Sequence, residues 1–366
     1  MKRITVLGAG NGGQALAGHL ASGGNSVTLF EHPRFEEKLT ALKEKGSITL
    51  KGSVECIGKP DLITGDPEAA VKGSHILYLV APTFAQKPIL EMIAPYLENG
   101  QILVLLPGNF GSLSFSKFME TESIKADIML AEADTIPYAC RQVEPGLVDV
   151  WGMKKTMSMG SLPGKDIGKV IEGIRDYFPL PLKAAPNVIA IGLYNTNMIL
   201  HCPTMIMNAG RIESEADGFS FYKGGMSESV CKVMEAMDAE RVRIGEELGI
   251  KLLSTMDDMQ NIYRIGGRTL RETILNNRAY CGHGKDSPSS MGHRYLNEDV
   301  PYLLVPLSEF GKLLDVPTPT VDSIILLAGI VNGTDYFSSG INLEKLGLKG
   351  FSKEDIIKFA DSGIRR

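Results

Sequence analysis

An α/β domain built on a parallel sheet, followed by an all-α domain, is the fold class that this 366-residue sequence predicts. Three observations carry the prediction. Short apolar runs alternate with helix-period segments through the first half, as β-α-β units require. A glycine-rich turn follows the first of those runs directly. After Pro186 the strand signal fades and apolar residues recur at three- and four-residue spacing. The chain is too long for one ordinary core, so two domains are expected, 1–182 and 187–366, parted where Pro179, Pro181 and Pro186 cluster.

The expected strands are Ile4–Leu7, Ser26–Glu31, His75–Val80, Gln101–Leu106 and Ile128–Glu132, each ending near glycine, proline or a polar residue. Ser47–Leu50 and Val54–Ile57, parted by Lys51-Gly52-Ser53, read as an added hairpin. In the second half, Asn187–Gly210 reads as one long buried helix, bent or interrupted near Pro203, whose ring removes a backbone donor. That stretch has no Asp, Glu, Lys or Arg and is long enough to span a bilayer. Its Asn187, Asn195, Asn197, His201, Pro203 and Asn208 favour a buried helix of a soluble protein instead. Ser227–Leu248 carries apolar residues at Val230, Val233, Met234, Met237, Ile244 and Leu248, with Gly249 as a C-terminal stop. Thr318-Pro319, an apolar run to Val331 and Asn332-Gly333 supply an N-cap, a proline at the first helical position and a closing glycine.

Composition narrows the function classes. Hydrophobic residues at 43% and charged residues at 22% are ordinary for a globular chain. A formal charge of -5 supplies no basic field, which argues against a nucleic-acid partner. The five cysteines are widely spaced and never in CxxC form, so neither a disulfide framework nor a structural metal is expected. Lys2 and Arg3 lead into an apolar run too short for a signal peptide, and the expected compartment is the cytoplasm.

The first chemical signal is Gly8-Ala9-Gly10-Asn11-Gly12-Gly13, which leaves the first strand and opens a helix through Gln14–Leu20. Gly8 permits the tight turn, Gly10 lets backbone approach a pyrophosphate, and Gly13 allows close helix–strand packing, with phosphate at the helix N-terminus. Glu31 closes the second strand roughly 20 residues on, which completes the fingerprint of a Rossmann dinucleotide-binding domain. Glu31 would accept the ribose hydroxyls of NAD and repel a 2′-phosphate, while the nearby Arg34 leaves NADP open. The turns Val80-Ala81-Pro82-Thr83 and Leu106-Pro107-Gly108-Asn109 should line the same carboxyl edge of the sheet. The expected cofactor-binding set is Gly8, Gly10, Asn11, Gly12, Gly13, Glu31 and Pro82.

The second half offers a histidine, His201, inside an uncharged apolar helix, with Asn197 one turn and Tyr194 two turns earlier on the same face. Arg294, Glu298 and Asp299 sit together just before another apolar stretch, and Thr135 and Arg141 follow a strand. Taken singly, each has a plain alternative: a packed core histidine, an N-cap for Asp299 ahead of Pro301, a surface charge for Arg294. Spacing alone does not join His201 to Asp299.

Taken together, Gly-Ala-Gly-Asn-Gly-Gly at 8–13, Leu-Pro-Gly-Asn at 106–109, Thr-Ile-Pro-Tyr-Ala-Cys-Arg at 135–141, the histidine-bearing helix and Arg-Tyr-Leu-Asn-Glu-Asp-Val-Pro-Tyr at 294–302 resemble the octopine and opine dehydrogenase family over nearly the full chain. The resemblance implies a Rossmann domain, an all-helical domain and an active site in the cleft between them. It implies NAD(P)H-dependent condensation of an amino acid with a 2-oxo acid, pyruvate by default. Matched by motif, His201 and Asp299 become the catalytic pair, Arg294 the clamp for the oxo-acid carboxylate, and Asn109 and Thr135 further contacts to the oxo acid. A homodimer through apolar faces of the helical domain is also open. Two-domain reductases of 2-hydroxyacids, glycerol phosphate or ketopantoate share the architecture but commonly use a lysine near the cleft, and positions 187–210 contain none. A cofactor sensor without chemistry would have no need of His201, Arg294 and Asp299.

Overall fold

A computed structural model describes residues 2–215, 219–281 and 287–365. The chain divides into two compact units, Met1–Gly192 with Asp355–Arg366, and Leu193–Glu354.

The first unit is built on strands β1 (Arg3–Leu7), β2 (Ser26–Phe30), β3 (Ile48–Gly52), β4 (Cys56–Gly58), β5 (Leu62–Thr64), β6 (Ile76–Val80), β7 (Ile102–Leu106), β8 (Met129–Ala133), β9 (Tyr138–Glu144), β10 (Leu147–Met153), β11 (Met157–Leu162) and β12 (Leu182–Ala184). The main sheet has the order β12-β11-β8-β7-β6-β1-β2-β5. From β5 to β8 every pairing is parallel, while β11 runs antiparallel to β8 with Met159 opposite Ala133. Strands β6 and β7 are buried at every residue, the pattern of central strands covered on both faces. The parallel sheet expected from the sequence is therefore present, extended at one edge by β11 and β12.

A second sheet, β4-β3-β10-β9, was only half anticipated. The expected hairpin is β3–β4, with Leu50 opposite Cys56. The other half is the hairpin β9–β10, and β10 runs parallel to β3. Ile48, Leu50, Val148 and Val150 from this sheet share one core with Ala15, Leu16 and Leu20 of the helix α1 (Asn11–Ser22).

The segment expected as one helix is three: Val188–Tyr194, which begins in the first unit and ends in the second, then Asn197–Met207 and Ala209–Ser214 in the second. The first break falls at Asn195-Thr196, where the Asn195 side chain accepts the Asn197 N–H at 3.1 Å and competes with the helical ladder. Pro203 stays inside the second helix. Tyr194 thus belongs to a different helix from His201 and does not share its face. Among the described residues no helix is long and apolar enough to cross a membrane. The helix Glu228–Glu247 is capped by Ser227, whose hydroxyl accepts the Val230 N–H, and Pro319–Asn332 ends at left-handed Gly333, both as the sequence signals require.

Buried Arg241 ties this unit together. Its guanidinium donates to Asp238 at 2.8 Å and to the carbonyls of Leu193 and Leu253 at 2.7 Å, while Asp238 also accepts from Thr255. Each of the three nitrogens of the buried guanidinium meets an acceptor, the kind of pairing under which a buried charge is tolerated. At the other end of the chain the final helix, Lys353–Ser362, joins the first unit from Asp355 on, where Arg365 pairs with Glu120 at 3.2 Å.

Candidate active site

At the start of α1 the glycines are required by contact. Gly8 has φ +104°, and a Cβ on it would lie 2.5 Å from the Val80 carbonyl oxygen. A Cβ on Gly13 would lie 1.8 Å from the carbonyl oxygen of Gly8, so the helix packs on the turn only because both positions lack side chains. Gly10, the N-cap, has no side-chain cap and no heavy atom within 4 Å of its Cβ position. The Gly12 position approaches Ile136 and Val80 at 3.1 Å. Asn11 is exposed, with its Oδ1 accepting the Gln142 N–H at 3.0 Å, and Pro82 occupies the N-cap position of the helix Thr83–Ile93 without a side-chain cap.

Glu31 follows β2 and is buried, accepting from the Ala9 N–H at 3.1 Å, the His32 N–H at 2.9 Å and Lys38 Nζ at 3.3 Å. The carboxylate is therefore anchored to the glycine turn itself. Arg34 is exposed and lies 4.7 Å over the Phe35 ring. Uncapped N–H groups at a helix start, open space beside Gly10 and an anchored carboxylate after β2 fit a dinucleotide: pyrophosphate at the helix, ribose at Glu31.

Asn109 lies in the loop after β7, buried, with φ 53°, and its amide donates to Thr83 Oγ1 at 2.7 Å. Behind this loop stands Glu132, fully buried, which accepts from the N–H of Phe110 at 3.1 Å and from both donors of Ser112. Burial pushes its carboxyl up to about 7, although these hydrogen bonds pull the other way. Sequence reading assigned Glu132 no role; the available signal was a lone acid in the otherwise apolar strand Met129–Ala133. Thr135 is half-buried in the bend beyond that strand.

In the helical unit the structure brings His201 and Asp299 together. Nδ1 of His201 lies 2.7 Å from Oδ2 of Asp299, and the residues are 6% and 7% exposed. Asp299 does stand at the N-cap position of the turn Val300–Leu304, but its side chain makes no capping hydrogen bond and meets His201 instead. On the opposite nitrogen, Nε2 lies 3.3 Å from the Tyr222 hydroxyl. The Tyr295 ring stacks on the imidazole with centroids 3.7 Å apart and planes 16° from parallel. Tyr222 belongs to a π-helical turn, Phe221–Gly225, and Asp299 heads another, Val300–Leu304. Such turns are rare and concentrate at functional sites. Neither Tyr222 nor Tyr295 was singled out from sequence, because neither has a spacing relation to His201.

Arg294 opens the short helix Arg294–Asn297 with its side chain 65% exposed and Nη1 3.8 Å from the buried carboxylate of Glu298. The neighbouring His293 caps that helix by accepting the Tyr295 N–H at 3.3 Å. Burial, helped by Arg294 and His201, pushes the His293 imidazole down to about 4 and keeps it a neutral acceptor.

The chain matches two family models: "NAD-dependent glycerol-3-phosphate dehydrogenase N-terminus" over residues 3–110 and "NAD/NADP octopine/nopaline dehydrogenase, alpha-helical domain" over residues 184–332. It is 33% identical over 357 residues to an opine dehydrogenase of Arthrobacter sp. (strain 1C), covering 97% of this chain and 98% of that one. An octopine dehydrogenase of Mizuhopecten yessoensis is 25% identical over 377 residues, covering 92% of each chain. In fold, the chain is similar to an octopine dehydrogenase solved with NADH and L-arginine, at a TM-score of 0.79 and 20% identity over 100% of this chain and 99% of that one. An N-terminal dinucleotide turn, a helical unit holding a buried His–Asp pair and this identity over nearly whole chains lead to one conclusion: the chain belongs to the opine dehydrogenase family of NAD(P)-dependent oxidoreductases.

Proposed function

We propose that the enzyme condenses an amino acid with a 2-oxo acid, pyruvate by default, and reduces the resulting imine to a secondary-amine dicarboxylate, with the reverse oxidation also available. The observation that carries this reading is the buried 2.7 Å pair of His201 and Asp299 in the helical unit. The amine attacks the carbonyl carbon, the C–N bond forms, and the carbinolamine loses its hydroxyl as water. Both steps need a proton moved at oxygen or nitrogen, and a histidine held in one tautomer by a carboxylate is suited to that work. The guanidinium of Arg294 would grip the oxo-acid carboxylate bidentately and fix the reacting carbon. Asn109 and Thr135 would make further contacts to the oxo acid. The bound nicotinamide supplies the hydride.

The partners in this reading are small molecules. An apolar, uncharged face on the helix Pro319–Asn332, with Leu326, Leu327, Ile330 and Val331 exposed, supports a homodimer, which sedimentation would check. Five free thiols suit the cytoplasm. The deciding experiment is a matrix of amino acids against 2-oxo acids, followed by NADH absorbance. Oxidation of NADH that requires both partners supports the reading, and oxidation with the oxo acid alone would return the chain to simple ketone reduction.

A further inference from the structure

Both nitrogens of His201 have partners of different kinds. Asp299, as a carboxylate, only accepts, so Nδ1 carries the hydrogen and Nε2 presents its lone pair to the Tyr222 hydroxyl at 3.3 Å. Stacking against Tyr295 and contact with Phe221, whose centroid is 6.1 Å away, hold the imidazole in this orientation. A proton exchanged by the Asp299-bound ring must therefore pass at Nε2. His201 and Asp299 are buried and Tyr222 is half-buried as a residue, so Tyr222 is the outermost member of the chain Asp299–His201–Tyr222. Its ring is fixed in turn by stacking on Tyr280 at 4.6 Å and an edge contact to Phe221 at 5.2 Å.

We propose that Tyr222 is the relay through which His201 exchanges its proton with the substrate, a role that rests on His201 being the acid/base residue. A hydroxyl donates and accepts at once, so it transmits a proton and ends unchanged. As the imidazolium Nε2–H gives its proton to Tyr222 Oη, the Tyr222 O–H proton moves to the hydroxyl of the carbinolamine. The C–O bond breaks, water leaves, and the nitrogen lone pair forms the C=N bond. The imidazole ends neutral and the iminium carries the charge. Burial, with Tyr295 and Tyr280 adding to it, pushes the Tyr222 phenol well above its ordinary range, so it stays protonated and does not compete as a base.

The test is the single-turnover rate of NADH oxidation in H₂O–D₂O mixtures, for the wild type, Tyr222→Phe and His201→Asn. The relay predicts a curved proton inventory in the wild type, reporting two protons in motion. Tyr222→Phe keeps the ring and its stacking, so unfolding midpoint and NADH affinity should hold, while the rate falls about tenfold or more, a modest general acid/base loss, and the inventory becomes linear. A linear inventory in the wild type overturns the relay and needs no variant. So does a Tyr222→Phe rate within about twofold of wild type beside a disabled His201→Asn. If His201→Asn itself keeps wild-type turnover, the acid/base reading beneath the proposal falls instead.

Discussion

Ser112 gives both of its donors to one carboxyl group: its backbone N–H and its hydroxyl each lie 2.6 Å from Oε1 of Glu132. The Phe110 N–H reaches the other oxygen at 3.1 Å. A buried acid thus organises the backbone on the far side of Asn109, the residue whose amide meets Thr83. The carboxyl sits on β8 while the loop follows β7, so the contact also pins the loop to the neighbouring strand.

The raised pKa of the Glu132 carboxyl makes a prediction about pH and stability. Its folded value of about 7 lies above the ordinary 4.5, so between those limits the folded chain holds more proton than the unfolded one. The contribution is fully present below about pH 4.5 and is lost as pH rises through about 7. Glu132→Gln removes this titration, and the difference in unfolding midpoint between wild type and variant should change across that window and level off above it. Parallel curves for the two proteins through the window would sink the assignment.

NADH should be preferred over NADPH, because the buried Glu31 carboxylate would meet a 2′-phosphate as a like charge. Lys38, 3.3 Å from that carboxylate, and exposed Arg34 are cations left behind when the acid is removed. Glu31→Ser should therefore lower kcat/KM with NADH and raise it with NADPH. A wild-type preference for NADPH would refute the role of Glu31.

Arg294→Lys keeps the charge but not the fork, and a lysine cannot hold a carboxylate through two parallel hydrogen bonds. Since the head of Arg294 is exposed, little packing is lost and the fold should tolerate the change. The oxo-acid KM should rise while NADH affinity holds. An unchanged KM would make Arg294 a surface cation.

What the sequence disclosed follows from burial. β6 and β7 are covered on both faces and read as unbroken apolar runs, so their positions were plain. β9 and β10 bury one face against α1, and exposed Arg141, Val143 and Trp151 on the other interrupt the pattern. β12 has three residues, too few for any periodicity. The break at Asn195 was hidden because a side chain, and no change of composition, competes there with the helical ladder. His201 and Asp299 are 98 positions apart, and no local pattern could pair them; only the family resemblance did. Tyr222 lay beyond even that, since its role depends on a packing contact to a nitrogen.

The same pair supports the most exacting prediction. If His201 only packs, His201→Asn should lower the unfolding midpoint while each folded molecule keeps near-normal turnover. If it moves protons, the variant should fold and bind NADH yet lose on the order of 10² to 10⁴ in rate. Asp299→Asn should reproduce much of that loss: the amide can present its NH₂ to Nδ1, which favours the tautomer with the hydrogen on Nε2 and removes the acceptor there. Removing either partner leaves the other buried and short of a hydrogen bond, so a modest loss of stability accompanies both readings and does not separate them. Turnover does. The double variant should be little worse than His201→Asn alone, because Asp299 acts through the imidazole and has nothing to orient once the ring is gone. Thermal unfolding, NADH binding and turnover measured on the same preparations distinguish these outcomes, and a folded, NADH-binding His201→Asn enzyme at near wild-type turnover would remove the mechanism.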